Sequence, residues 1–402
     1  MTSFIAQLHN KSYFIDPQVH AFQQPLKMVT RRKDGEVKLK QSIDKLADIY
    51  GSIIRTHAGE KPIGTAMLDE EIITEICEKV LEFELDIIPE TTTNIDVQEF
   101  LDFAEADLTP ELLIAPYLYL EPDNLENELD TNKLFIDKSK EILNAGKERL
   151  HRKPLFGEVV IDQEVLLDPE KRDDVIETYR GCELDGLLIW IDDFEEQLAS
   201  KSALSNYKEF IRQFSSQDIP LINLHGSYFS VMLSGEAIAL LAGVGHGIEY
   251  GEYRPVVPVG GGVPTAKFYF PNFHQRVNYD PDAQNILLET GWANDKARYF
   301  NQVCSCKTCR KLLKNQEVIQ GFKQYGETSE SNKDNVDRRY PTGEAIDKSR
   351  RHYLNNKIKE YEFCKVASSD DIIENLNSHY KVATDLKSHS FNHLKKWKEL
   401  IV

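Results

Sequence analysis

What most constrains the fold of this chain is an alternation. Short apolar runs recur at residues 12–15, 85–88, 112–120, 155–161, 186–191, 220–224, 247–250 and 266–270. Between them lie amphipathic stretches at 42–56, 69–83, 137–149, 207–214 and 236–242. A strand buried on both faces reads as a continuous apolar run, and parallel strands need a long crossover, usually helical, to join them. Eight such runs alternating with helices predict the α/β class and a parallel (β/α)8 TIM barrel over residues 1–300. A doubly wound open sheet is the alternative. No G-x-G-x-x-G follows the first run, which weakens its dinucleotide-binding form.

From residue 301 the pattern changes. Residues 315–348 are polar and charged and read as a long loop inserted in a second domain, 301–402, whose helices are expected at 349–363 and 370–401. Charge divides at the same place. The formal charge of -18 resolves into about -23 over the first 300 residues and about +5 over the rest. A basic end on an acidic body can still meet phosphates, because such contacts depend on local charge, although both can equally be solvated surface. No apolar run approaches the roughly 20 residues of a membrane helix, and the first residues lack the basic and apolar regions of a signal peptide. The expectation is a cytoplasmic protein without a membrane partner; a homodimer stays open.

Three of the six cysteines stand together as Cys304-Ser-Cys306-Lys-Thr-Cys309. Without a secretion signal, such a cluster points to metal rather than disulfides. C-x-C-x2-C supplies three thiolates to one face of a tetrahedral zinc, and the fourth ligand lies among His352, Cys364, His379, His389 and His393. Four protein ligands close the coordination, so the zinc is structural. Cys77, Cys182 and Cys364 are isolated and read as small buried hydrophobes.

The cluster, followed by Arg351-His352-Tyr353-Leu354, resembles the C-x-C-x2-C … R-x-Y-L run of tRNA-guanine transglycosylases. In that family a helix bearing the zinc histidine follows. Asn377-Ser378-His379-Tyr380 resembles its start, which implies His379 as the fourth ligand. The chain departs from the family by the polar segment 315–348 between the third cysteine and that run.

The resemblance also implies the chemistry. Cleaving a base–sugar N-glycosidic bond passes through an oxocarbenium-like sugar, which a carboxylate stabilises while an acid assists the departing base. Asp16, at the end of the first apolar run, corresponds to the family's general acid/base, although Asp-Ser-Gly-Gly is here Asp16-Pro17-Gln18-Val19. Read from the residues alone, an Asp before Pro is often only a turn former. Glu252, after Gly247-Ile248-Glu249-Tyr250-Gly251, takes the place of the nucleophilic Asp, with Glu249 as competitor and Arg254 as a neighbour for substrate or for Glu252 itself. The guanine-binding signatures are missing. Tyr117 and Trp190 could stack on an extruded base, Asp192 could accept from its edge, His225 could make a polar contact, and a loop containing Gly261 could approach a phosphate. Core packing is the competing reading of Tyr117 and Trp190. Losing guanine recognition implies another base. The expected function is a glycosylase acting on a modified base, in DNA rather than tRNA, in the setting of antiviral defence. The alternatives are true base exchange, guanine to 7-deazaguanine on DNA or tRNA, and a non-catalytic nucleic-acid-binding subunit.

Overall fold

The structure, a computed structural model, describes residues 12–25, 29–33, 36–58, 60–91, 109–145, 153–216, 219–247, 251–257, 265–333 and 336–401. The protein is of mixed α/β class with a parallel sheet. It divides into two compact units. The first comprises Met1–Asp192, Asn206–Ile222 and Pro255–Pro258; the second comprises Asp193–Ser205, Asn223–Arg254 and Val259–Val402.

The first unit opens with an antiparallel pair, β1 (Thr30–Lys33) and β2 (Glu36–Leu39). Its sheet is built on β3 (Leu113–Ile114), β4 (Tyr119–Leu120), β5 (Leu155–Ile161) and β6 (Gly186–Ile191). Strands β5 and β6 run parallel in register from Phe156↔Gly186 to Ile161↔Ile191, and β3 and β4 both pair with β5. Every residue of β5 and β6 is buried, as parallel strands covered on both faces require. Gly186 is obligatory here, because a Cβ at that position would run into the Phe156 ring. Strand β7 (Leu221–Asn223) continues the order, with Leu187 N–H donating to Pro220 O (2.9 Å).

The helices Gln41–Ile49, Ser52–His57, Glu70–Thr91 and Leu125–Ala145 supply the rest of this unit. Ala47, Tyr50, Ile54, Ile73, Ile76, Val80 and Phe135 pack into one cluster with Val19 and Phe22. Two expected strands are corrected. Residues 85–88 belong to the Glu70–Thr91 helix, because Ile73, Ile76, Cys77, Val80, Leu81 and Glu84 continue one buried helical stripe into them. Residues 12–15 are extended chain rather than a strand, held where Glu111 N–H donates to Tyr13 O (2.9 Å).

In the second unit, β8 (Gly243–Val244) is followed by Gly245, whose N–H donates to Asn223 O (2.7 Å). Residues 248–250, including Glu249, and 258–264, including Gly261, lie outside the described residues. Gly247 and Gly251 form an isolated antiparallel bridge. Gly251 has φ 84°, a conformation that suits glycine, and it turns the chain so that Glu252 enters the interior. The stretch 236–242 is turns, not the expected helix; the helix there is Tyr228–Leu233, and Ala239 at φ 52° is incompatible with its continuation.

An antiparallel hairpin follows, β9 (Lys267–Phe270) with β10 (Gln275–Asn278), then short helices Gln284–Glu289, Lys296–Gln302, Lys307–Leu312 and Val318–Phe322. The expected loop 315–348 is structured: it holds Val318–Phe322, the paired strands β11 (Thr328–Lys333) and β12 (Val336–Pro341), and the start of the Gly343–Val366 helix. Polar residues along both strands hid the hairpin from any apolar alternation. The helices Ser369–Thr384 and His393–Ile401 close the unit. Among the described residues no helix is long and apolar enough to cross a membrane.

Candidate metal centre and carboxylate sites

The metal centre is built by three local structures. Cys306 caps the Lys307–Leu312 helix, its sulfur accepting from Cys309 N–H (3.5 Å), while Cys306 N–H points at Cys304 Sγ (3.3 Å). These turns bring three sulfurs to one side. The fourth donor comes from the Gly343–Val366 helix, started by Thr342 capping Ala345 N–H (3.1 Å). On it, His352 stacks on Phe268 (4.3 Å between ring centres) and donates from Nε2 to Tyr269 O (2.7 Å). That bond leaves Nδ1 facing the sulfurs, 3.6 Å from Cys306 Sγ and 3.4 Å from Cys309 Sγ, where it offers a lone pair to a metal on losing its proton.

Tetrahedral zinc with Zn–S near 2.3 Å and Zn–N near 2.0–2.1 Å places sulfur and nitrogen about 3.6 Å apart. The donors of Cys304, Cys306, Cys309 and His352 are all buried and within 4.8 Å of one another. The hydroxyls of Tyr299 and Tyr325 sit 3.4 and 3.2 Å from Cys309 Sγ. Burial, together with Cys304 and Cys306, pushes the Cys309 thiol up, so without a cation the three sulfurs do not all ionise. Burial pulls His352 down, but Cys304 and Cys306 outweigh it and lift it to about 9. The donor set, its spacing and its outer partners fit a metal ion such as zinc.

The expected fourth ligand, His379, is corrected to His352. His379 lies on the Ser369–Thr384 helix with Nδ1 against His274 Nε2 (3.2 Å), outside the cluster. The polar hairpin between Cys309 and His352 lengthens the chain without moving the histidine out of reach.

Glu252 stands in a second buried assembly of the same unit. It is 5% exposed. Its Oε2 accepts from Gln197 Nε2 (2.6 Å), and its Oε1 accepts from Tyr353 OH (3.4 Å) and pairs with Lys357 Nζ. Lys357, 3% exposed, also pairs with Glu360 Oε2 (2.9 Å). Glu360 Oε1 then accepts from Tyr269 OH (2.6 Å) and His274 Nδ1 (2.7 Å). Burial works to raise the Glu360 carboxyl, but Lys357, His274 and Tyr269 hold it down at about 2. Glu252 is therefore matched to a buried ammonium, not to Arg254, which is half-buried and whose carbonyl accepts from Asp193 N–H (3.2 Å).

Asp16 belongs to the first unit. Tyr50 OH donates to Pro17 O (2.7 Å), and Gln18 at φ 52° turns the chain into Val19–Gln23. This folds Gln18 N–H onto Asp16 Oδ1 (2.9 Å) and its side chain onto Oδ2 (3.2 Å). Tyr117 OH donates to Oδ1 (2.6 Å) and lies 3.1 Å from His20 Nδ1. Burial, Asp16 and Glu158 push the Tyr117 hydroxyl up, so it stays a donor. At the C-terminal ends of β5 and β6, Tyr119 OH reaches Asp162 Oδ2 (2.8 Å) and Asp192 Oδ2 (3.0 Å). Asp192 Oδ1 accepts from Val256 N–H (2.6 Å), so both its oxygens are engaged.

The stacking expected of Tyr117 and Trp190 is not offered to solvent: they are 1% and 0% exposed and pack around His20. His225 is half-buried, its N–H donating to Asn223 Oδ1 (3.2 Å). No protein-family model matches the sequence, and no curated protein matches it significantly.

The residues that sequence reasoning missed are Lys357, Glu360, His274 and Tyr269 around Glu252, while His352 stood among the candidate ligands behind His379. A signal for several of them exists. Ser349, His352, Tyr353, Asn356, Lys357, Glu360 and Cys364 are buried at helical spacing, while Leu354, Ile358 and Val366 on the same helix are 38%, 57% and 76% exposed. The helix thus buries a polar stripe and leaves three apolar side chains among the charged residues of its outer face. A polar stripe at core spacing is the mark of a built site, since buried polar groups are kept only with partners.

Proposed function

We propose that the chain is a tRNA-guanine transglycosylase-like enzyme, its sheet completing a (β/α)8 barrel and its Cys304, Cys306, Cys309 and His352 holding a structural zinc. It cleaves the N-glycosidic bond of a modified base in DNA. The observation that carries this reading is the gathering of carboxyl groups at and beside the C-terminal ends of parallel strands, where barrel enzymes place their chemistry. Asp162 and Asp192 share the Tyr119 hydroxyl there, and Asp16 is held by Tyr117. Asp16 delivers a proton to the departing base and then serves as base toward water. Glu252, buried and paired with Lys357, takes no reacting role. Zinc, when bound, supplies no reacting group; it fixes the turn and helix that carry its ligands.

A specific observation favours a second reading, a non-catalytic nucleic-acid-binding subunit: both oxygens of Glu252 are already engaged and its charge is met by Lys357. Incubation with modified and unmodified DNA separates the two. Free base and alkali-labile sites without added base support the glycosylase. Product only with a labelled free base assigns base exchange instead. DNA binding with neither product supports the subunit.

A further inference from the structure

We propose that His274 and His379 form a second metal site, distinct from the Cys-His cluster, for a divalent transition-metal ion that favours imidazole. His274 Nε2 and His379 Nδ1 face each other at 3.2 Å. Two imidazole nitrogens bound to one ion at 2.0–2.1 Å in tetrahedral array stand about 3.3 Å apart, so the pair is already at ligand spacing. His274 is oriented from behind. Its Nδ1–H donates to Glu360 Oε1 (2.7 Å), the carboxylate–histidine arrangement that directs the other nitrogen's lone pair at a metal. Tyr228 stacks flat on the ring (3.4 Å, 3°), which fixes its plane.

Three further observations point to a ligand. His274, Asn356, Glu360, Asn375 and His379, with Cys304 of the cluster at its wall, line one cavity of about 240 Å³, room for an ion with waters completing its coordination. Asn375, one helical turn before His379, has a buried Oδ1 with no partner. An amide oxygen there supplies a third donor or a bond to a metal-bound water. Glu360, a buried carboxylate held low by Lys357 and His274, keeps a negative charge directly behind the pair. On binding, the proton shared between them moves to His379 Nε2.

The test adds nickel(II) to the full-length protein carrying its zinc, followed by calorimetry and by elemental analysis after gel filtration. One nickel per chain with zinc retained is expected. H379A should weaken nickel binding by more than about tenfold, and N375A by less. The surface control H389A should leave it unchanged. No nickel bound, or H379A binding like wild type, overturns the site. Cobalt(II) gives an answer that needs no variant. Cobalt taken up with zinc retained should show no thiolate charge-transfer absorption; thiolate bands would place the ion at the cysteines and overturn the proposal.

Discussion

Asp16 and Glu252 are both carboxylates at turns made by special backbone, yet their surroundings are opposite. Asp16 is half-buried and held by neutral donors, the Gln18 amides and the Tyr117 hydroxyl. Glu252 is buried and matched to a buried ammonium. A carboxylate held by neutral donors keeps its charge available to whatever approaches. One paired with Lys357 has that charge largely spent on the fold, because the pair must offset the desolvation of both ions. The family resemblance ranks the two as equal catalytic partners. Their environments leave the charge of Asp16 open to an approaching group and make Glu252 a fixed part of the interior.

The strongest way to break this contrast is to empty the Cys304–His352 cluster, which can hold a metal such as zinc. The Gly343–Val366 helix carries His352 toward the cysteines and Lys357 toward Glu252, so the setting of Glu252 depends on the cluster, and that of Asp16 does not. Structural zinc contributes about 10–16 kcal/mol of apparent binding free energy, more than the stability of most domains. Chelation, or C309S, should therefore unfold the second unit. Fluorine NMR of fluorotryptophan-labelled protein reads this directly, since Trp190 lies in the first unit and Trp292 and Trp397 in the second. The expected result is collapse of the Trp292 and Trp397 signals with Trp190 still dispersed. Equal loss of all three would tie Asp16 to the metal as well.

Next in size is the ammonium. K357M leaves Glu252 and Glu360 buried without their shared ammonium and should cost about 3–5 kcal/mol in urea denaturation. E252Q should cost less, because Lys357 keeps Glu360. In the double variant the two costs should fall well short of adding, as for groups in one network. Additive costs would show that the pair is not coupled, and Glu252 would regain a claim to be a free nucleophile.

How much of this could be read beforehand follows from what each pattern reports. Strands β5 and β6 were legible because burial on both faces leaves an apolar run, interrupted in β5 by Glu158, and the cysteines because one short turn fixes their spacing. Residues 85–88 misled, since a short apolar run fits a helix face as well as a strand. The choice between His352 and His379 was not legible: His352 is 43 positions from Cys309, across a hairpin whose strands are polar. The assembly around Glu252 was hidden for a different reason. Periodicity assigns apolar residues to the core, and on the Gly343–Val366 helix Leu354, Ile358 and Val366 point outward while His352, Lys357 and Glu360 point in.

Acid should separate the two regions further. His393, 4% exposed, is pushed by burial down to about 3, against its ordinary 6.5. The unfolded chain then binds the extra proton first as pH falls. The contribution of neutral His393 is present above about pH 6.5 and is lost progressively toward pH 3, at about 1.4 kcal/mol per pH unit. H393Q should flatten the dependence of second-unit stability on pH between 6.5 and 4. An unchanged slope would mean that His393 is not the group responsible.

The smallest expected effect on stability falls on Asp16, and there the contrast is sharpest. D16N keeps the size of the side chain and an oxygen to accept from Tyr117 OH, and no buried cation loses a partner. Its melting should shift by the equivalent of less than about 1 kcal/mol. Base release should fall roughly 10²- to 10⁴-fold, the usual contribution of a general acid. D16E should restore part of that loss, because it returns an ionisable oxygen displaced by about one bond length. Retained base release in D16N would remove the acid role from Asp16. A stability cost matching that of K357M would instead show that Asp16, like Glu252, belongs to the fold.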